Sequence, residues 1–286
     1  MDLSSVDSQM KTAPSLLVQT TSVCPICLHR IPAERVAYGG EVYLEKICPQ
    51  HGLFRTILWR GKPDYVTWGR KKIPNHPKKP FTQTEAGCPF DCGLCASHRQ
   101  ESCCVLLEVT DRCDLGCPVC FASAGEKNST DPDLTVVEMW YRRMLEAGGP
   151  YNIQLSGGEP CLRDDLPEII LLGKRMGFSY FQVNTNGLRI ATDLNYLKRL
   201  KDSGLSVVYL QFDGTEDRIY QEIRGRSIYQ KKLQAIQNCQ ELHLGVVLVP
   251  TIVPMINSGN IGSIVRFALE HYPTVRSIHL QPVSYF

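Results

Sequence analysis

The 286-residue chain is long enough for two units of roughly 150 residues, or for one large domain with a small appendage. With 43% hydrophobic and 21% charged residues it has the composition of a soluble folded protein, and its net charge of +2 is too weak a field to hold a phosphate polymer or an anionic membrane. No stretch approaches the roughly 18 unbroken apolar residues of a membrane span, and Leu16-Leu17-Val18 is too short for a secretory signal, so a cytoplasmic location is expected.

Thirteen cysteines carry most of the remaining information, eleven of them before Thr130. An odd number, a chain of this size and no export signal argue against a disulfide scaffold, while clusters at tight spacing argue for metal. The first cluster is Cys24-Pro-Ile-Cys27 with Cys48-Pro-Gln-His51, a C-x2-C-x20-C-x2-H pattern suited to one tetrahedral ion. Zinc and a single iron in a rubredoxin-like setting both satisfy it. Residues 35–44 between the knuckles read as a hairpin that brings them together, so 1–70 is expected to be a small metal-binding ribbon.

Residues 71–104 show little helical periodicity, and the Lys- and Pro-rich run 70–80 reads as a solvated, stiffened linker. Cys88-Pro-Phe-Asp-Cys92-Gly-Leu-Cys95 follows, with Cys103, Cys104 or His98 as candidate fourth ligand. The pattern fits an auxiliary 4Fe-4S cluster, with a second zinc site as the alternative.

From Val105 the texture changes. Strands are predicted at 105–109, 152–155, 180–184, 206–212, 245–249 and 277–283, with helices at 135–146, 165–176, 193–203, 229–241 and 261–271. Alternation of this kind is α/β and gives a partial (βα)6, TIM-like barrel over 105–286. The sequence stops at Phe286 directly after the sixth strand, so the barrel is expected to be truncated there with a raw edge, and either the sequence is a fragment or something else covers that edge.

Cys113-Asp-Leu-Gly-Cys117-Pro-Val-Cys120 follows the first of these strands and falls on the rim where such barrels carry chemistry. Three thiolates at this spacing wrap one compact cluster. Because only three are supplied, a four-iron cluster would keep one iron without a protein ligand, an open position for a substrate or cofactor. A zinc knuckle with a distant fourth ligand is the alternative, although zinc sites favour paired two-residue spacings.

A CxxxCxxC loop after the first strand of a partial βα barrel resembles the radical SAM superfamily, and the resemblance covers 105–286. It implies a 4Fe-4S cluster on Cys113, Cys117 and Cys120. It further implies that Ser156-Gly157-Gly158-Glu159-Pro160 is the GGEP motif, whose glycines admit close backbone approach and whose Glu159 and carbonyls hold the methionyl ammonium of S-adenosylmethionine. Asn184-Thr185-Asn186-Gly187 and Gln211-Phe212-Asp213-Gly214 are polar clusters at strand ends. They read either as turn and cap chemistry or as contacts from Asn184, Asn186, Gln211 or Asp213 to cofactor or substrate. Arg224, in a stretch that resembles the family's segment after the fourth strand, is the candidate partner of the cofactor carboxylate, with a surface ion pair as the alternative.

The resemblance implies reductive cleavage of S-adenosylmethionine to a 5'-deoxyadenosyl radical. The electron would come from a low-potential donor such as flavodoxin or ferredoxin, and protein groups would position and shield the reaction. The order CPxC, CPxHG, CPxxCGxC, CxxxCxxC resembles one branch, which includes tetraether lipid synthase and 7,8-dihydro-6-hydroxymethylpterin methyltransferases. That resemblance implies methyl transfer or carbon-carbon bond formation on an organic substrate, a pterin or a lipid. An iron-sulfur electron carrier with an inactive barrel and a peptide-modifying maturase are the other readings. A zinc-ribbon nucleic-acid module is disfavoured by the near-zero charge.

Overall fold

The computed structural model describes residues 13–68, 73, 75–85, 90–91, 95–118, 120, 122, 124–125 and 130–283. The chain divides between Glu101 and Ser102 into two compact units.

The first unit contains an antiparallel sheet of β1 (Ser15–Val23), β2 (Arg30–Tyr38), β3 (Glu41–Cys48) and β4 (Gly52–Arg60), in that order, followed by the single turn α1 (Tyr65–Trp68). Residues 35–44 do form a hairpin: Tyr38 pairs with Glu41 across Gly39-Gly40. The run Leu16-Leu17-Val18 belongs to β1, whose pairing with β2 sequence periodicity did not reveal. The sheet has a small core, with Ala33, Val36 and Val42 buried along β2 and β3. Its buried cluster is Cys24, Ile31 and Cys48, with Cys27 and Phe54 against it, so thiols occupy the places where a larger domain puts leucines.

The second unit is a six-stranded, wholly parallel sheet in chain order: β5 (Cys104–Thr110), β6 (Asn152–Gly157), β7 (Phe181–Thr185), β8 (Val207–Gln211), β9 (Gly245–Val249) and β11 (Val275–Ile278). The helices between them are α2 (Leu134–Glu146), α3 (Leu166–Arg175), α4 (Leu188–Thr192), α5 (Leu194–Asp202), α6 (Asp217–Arg224), α7 (Tyr229–Glu241) and α8 (Ile261–Glu270). Sequential order with helical crossovers is the partial (βα)6 barrel expected from the sequence. Two-residue strands β10 (Thr251–Ile252) and β12 (Gln281–Pro282) pair in parallel beyond the ends of β9 and β11.

Helix starts follow capping chemistry. Asp133 accepts from the Val136 N–H at 2.9 Å to open α2, and Asp193 from the Tyr196 N–H at 2.8 Å to open α5. Sequence reading missed α4, whose five residues are too short for two turns, and α6, whose stripe of Ile219, Tyr220 and Ile223 is confined to two turns.

Alternation along the strands sets the two faces. Ile153 and Leu155 of β6 are fully buried, as are Val183 of β7 and Leu210 of β8. They pack with Tyr141, Ile169, Leu197, Ala235 and Phe267 of the helices into one apolar cluster. The alternate residues Gln154, Ser156, Asn184, Tyr209 and Gln211 face a cavity instead. Barrel interiors are usually filled by branched apolar side chains; here the filled layer lies outside the strands, and the inner face is polar.

Candidate active site at the carboxyl ends of the strands

A cavity of about 240 Å³ opens at the C-terminal ends of the barrel strands, where α/β sheets bind ligands. Cys113, Cys117 and Cys120 line it together with Gly157, Gly158 and Glu159, with Asn184 and Asn186, and with Gln211 and Arg224. The structure thus brings together ten of the candidates. Two stand behind the wall. Pro160 is buried and opens a single 3-10 turn over Pro160–Leu162. Asp213 has no exposed surface and holds Arg224. Cys88 and Cys92 lie outside the described residues.

The two glycines explain how the rim is assembled. The Gly158 N–H donates to the Thr110 carbonyl at 2.7 Å, and the Glu159 N–H donates to the Arg112 carbonyl at 2.7 Å. A Cβ on Gly157 would stand 2.1 Å from the Thr110 oxygen, and one on Gly158 2.2 Å from the Arg112 oxygen. The close backbone approach is therefore made to the chain leading into the cysteine loop. Without it, that loop and the turn after β6 could not share one wall.

Glu159 locks the next loop to these two. One carboxylate oxygen accepts from the Cys161 N–H at 2.9 Å and the Thr185 hydroxyl at 2.7 Å, and the other accepts from the Asn186 N–H at 2.6 Å. Burial pushes its carboxyl up, while the donors on Asn186, Thr185 and Cys161 pull it back. Asn186 carries the connection on: its amide donates to Asp114 in the cysteine loop at 2.7 Å, and its side-chain oxygen accepts from the Leu188 N–H at 2.9 Å. Through Glu159 and Asn186, the loops after β5, β6 and β7 form one hydrogen-bonded ring.

On the opposite side, Arg224 makes a bidentate pair with Asp213, both bonds 2.8 Å, and donates to the Thr251 hydroxyl at 3.0 Å. It is not a surface ion pair: the two side chains are 7% and 0% exposed. Asp213 is held further by the Thr251 N–H and, at its own carbonyl, by Asn257. Sequence reading missed Lys232, which is fully buried with its Nζ donating to the Asn186 carbonyl. The Gln211 amide lies between the two cations, accepting from Lys232 at 3.4 Å in one orientation and from Arg224 at 3.2 and 3.3 Å in the other. A signal for Lys232 was present: positions 232, 235, 236 and 239 form one helical stripe, otherwise Ala, Ile and Cys, and a lysine inside such a stripe must be buried.

Burial raises the Cys113 and Cys117 thiols, and the Arg224 guanidinium draws Cys117 back down. The donor set fits an iron-sulfur cluster: three thiols flank one cavity, at least one with a cation beside it to stabilise the thiolate. The wall beyond them offers amides, a guanidinium and backbone, suited to a charged, hydrogen-bonding cofactor.

The first unit carries a second donor set. The ligand atoms of Cys24, Cys27, Cys48 and His51 all lie within 4.8 Å of one another. Tetrahedral coordination with about 2.3 Å to sulfur and about 2.0 Å to nitrogen requires roughly 3.8 Å between sulfurs and roughly 3.6 Å between sulfur and nitrogen. The observed separations are 3.9 Å for Cys27 to Cys48, and 3.6 and 3.5 Å from His51 Nδ1 to Cys24 and Cys48. Cys24 sits at about 6 despite burial that would raise it, because the N–H groups of Cys27 and Ile26 favour its thiolate. All four ligands anticipated from the spacing converge on one metal-sized position. Among the described residues no helix is long and apolar enough to cross a membrane.

The profile of the Radical SAM superfamily matches residues 107–268, and that of the HMPTM N-terminal zinc ribbon domain matches 16–60. A 7,8-dihydro-6-hydroxymethylpterin dimethyltransferase of Methanocaldococcus jannaschii is 39% identical over 270 residues, 93% of this chain and 53% of the relative. A PqqA peptide cyclase of Bradyrhizobium diazoefficiens is 33% identical over 143 residues, 49% of this chain and 36% of the relative. The chain thus spans about half the length of the first relative and less of the second. Among solved structures, Streptococcus suis SuiB bound to precursor peptide SuiA aligns over 64% of this chain and 39% of its own, with a TM-score of 0.53 and 17% identity. Native anSMEcpe with bound AdoMet and Kp18Cys peptide aligns over 63% and 51%, with a TM-score of 0.52 and 19% identity, and both likenesses concern the fold. A superfamily profile matched over more than half the residues, on a barrel with its cysteine triplet at the mouth, places this chain in the radical SAM superfamily of enzymes.

Proposed function

We propose that Cys113, Cys117 and Cys120 hold a 4Fe-4S cluster at the mouth of the barrel and that S-adenosylmethionine occupies the cavity beside it. The observation that carries this reading is that the triplet lines the same cavity as the Gly157-Gly158 turn and the strand-end residues Asn184, Asn186 and Gln211. Bound there, the cluster supplies one electron for reductive cleavage of the carbon-sulfur bond of the cofactor.

The chain's own residues do the rest. Gly157 and Gly158 keep the backbone wall thin enough for the cysteine loop to close against it. Glu159, held by three donors, orients the turn and ties it to the loop after β7. Asp213 fixes the Arg224 guanidinium beside Cys117, where its positive charge favours the thiolate. The helix layer covers the outer face of the sheet and leaves the polar inner face to the ligands.

The reaction we assign is methyl transfer to a reduced pterin. Its support is the dimethyltransferase relative, alike over 93% of this chain, together with the ribbon profile over 16–60. In this reading the tetrad Cys24, Cys27, Cys48 and His51 holds structural zinc, because two of the few buried side chains of the ribbon, Cys24 and Cys48, are themselves ligands. Residues 71–104 link ribbon to barrel and carry an auxiliary 4Fe-4S motif at Cys88, Cys92 and Cys95. The electron donor is a low-potential carrier of the flavodoxin or ferredoxin class, and the location is the cytoplasm.

The test is anaerobic reconstitution followed by reductant and S-adenosylmethionine. The wild type should release 5'-deoxyadenosine, and Cys117→Ala should lose both the charge-transfer absorbance and the product. A Cys117→Ala protein that still cleaves the cofactor sinks the assignment.

A further inference from the structure

The inner face of the barrel carries groups that neither the cysteine loop nor the GGEP turn uses. Gln154 of β6 donates from its amide to the Asn184 side-chain oxygen at 2.6 Å, and Asn184 in turn donates to the Ser156 hydroxyl at 3.4 Å. The Cys104 thiol sits 3.9 Å from the Gln154 oxygen. Tyr209 of β8 lies on the same surface, its ring edge-on to His279 at 6.4 Å. Gln154, Asn184 and Tyr209 all line the cavity that opens at the cysteines. These side chains sit on regular strands, in register with their neighbours, so their positions are set by the sheet and not by loops.

A carboxamide offers two N–H groups and two acceptor lone pairs. After the bonds among the described residues are counted, Gln154 and Asn184 each keep one N–H and one lone pair for a ligand, locked in orientation by their mutual bond. Tyr209 adds a flat aromatic surface. A row of alternating donors and acceptors beside a ring matches the edge and face of a planar, nitrogen-rich heterocycle, whereas an alkyl chain would cover those polar groups and leave them without partners.

We infer that Gln154 and Tyr209, with Asn184, form the substrate floor of this barrel and select a pterin-class heterocycle against a lipid chain. This deepens the reading above and rests on it. Position supports it: Gln154, Asn184 and Tyr209 line the same cavity as the cysteine triplet, so a substrate held on them lies within reach of a cofactor bound at its mouth.

The experiment uses the full chain, reconstituted anaerobically with iron and sulfide. Kd values for 7,8-dihydro-6-hydroxymethylpterin, from its fluorescence, and for S-adenosylmethionine are measured for the wild type, Gln154→Met and Tyr209→Leu. The expected result is a rise of at least tenfold in the ratio of pterin Kd to S-adenosylmethionine Kd in both variants, a signature that general loosening of the barrel would not give. If the wild type binds the pterin and both variants keep its ratio, the substrate floor is wrong while the pterin reading stands. If the wild type binds S-adenosylmethionine but not the pterin, the pterin reading fails, and this inference fails with it.

Discussion

The backbone approach at Gly158 can be tested by adding one carbon. In Gly158→Ala the new Cβ would stand 2.2 Å from the Arg112 carbonyl oxygen, 2.7 Å from its carbon and 2.9 Å from the Asp111 oxygen, all main-chain atoms with no rotamer to escape into. Restoring even a 3.0 Å contact needs about 0.8 Å of separation. Such a shift would stretch the two 2.7 Å bonds, Gly158 to Thr110 and Glu159 to Arg112, to the limit of a hydrogen bond. Two weakened bonds at about 0.5–1.5 kcal/mol each, plus about 1–3 kcal/mol of overpacking, give a loss near 4 kcal/mol. For a unit of this size each kcal/mol moves Tm by about 2–4 °C, so scanning calorimetry should show the barrel transition about 10 °C lower. The control is Gly262→Ala in α8, where the added carbon meets nothing within 4 Å and helix propensity should raise Tm by a few degrees. A Gly158→Ala protein melting within about 2 °C of wild type would refute the claim that this glycine is required by the neighbouring backbone.

Removing one partner of the buried Asp213–Arg224 pair in Asp213→Ala leaves a guanidinium without its counter-ion and should cost about 3–5 kcal/mol in urea unfolding; an unchanged midpoint would mean that another group compensates. Cys24→Ser should reduce ribbon-bound metal, measured by mass spectrometry of the intact protein, from one ion to less than about a tenth. Retention of the ion would exclude Cys24 as a ligand. Lys232 is driven down to about 8 by burial, with Arg224 adding repulsion against the pull of Asp213 and Glu159. Its folded value lies below the ordinary 10.5, so the unfolded chain binds the extra proton and stability gained from Lys232 rises between about pH 8 and 10.5. The wild type should therefore gain on Lys232→Met by roughly 1 kcal/mol per pH unit across that window. Parallel urea midpoints from pH 8 to 9.5 would contradict it.

The metal tetrad and the βα alternation were legible because each rests on local chemistry. Two knuckles joined by a Gly39-Gly40 hairpin must converge, and polar or glycine-rich breaks between apolar runs mark strand ends. The same holds for the site's rim, since Cys113, Gly157, Asn184 and Gln211 all fall at or just beyond the ends of strands. The floor was not legible in that way. Gln154 and Tyr209 sit inside strands, and period-2 alternation shows only that they face away from Ile153, Leu155 and Leu210, not whether that side holds solvent, core or a cavity. Asp213 was read as a turn residue or a ligand contact because nothing in its local sequence announces a guanidinium eleven residues onward. That pairing exists only once α6 folds back, and the stripe of Ile219, Tyr220 and Ile223 shows which face of α6 is buried but not what its last residue, Arg224, meets.

The ring through Glu159 and Asn186 changes how mutations at this rim should be read. Glu159 binds donors on the turn after β6 and the turn after β7, and Asn186 passes the connection to Asp114 in the cysteine loop. Glu159→Gln keeps one acceptor oxygen but replaces the other with a donor facing the Asn186 N–H or the Thr185 hydroxyl. Its first effect therefore falls on the position of the cysteine loop, not on any ligand. Lost cofactor cleavage in that variant would not by itself identify Glu159 as a cofactor contact. The two roles separate in the cluster itself: a pure contact residue leaves iron and sulfide content and the charge-transfer spectrum at wild-type values while weakening S-adenosylmethionine binding, whereas a residue that holds the loop lowers cluster occupancy first. Three donors within 2.9 Å on one buried carboxylate argue that Glu159→Gln will follow the second course, with the motif's acid serving the geometry of the cysteines before it serves the ligand.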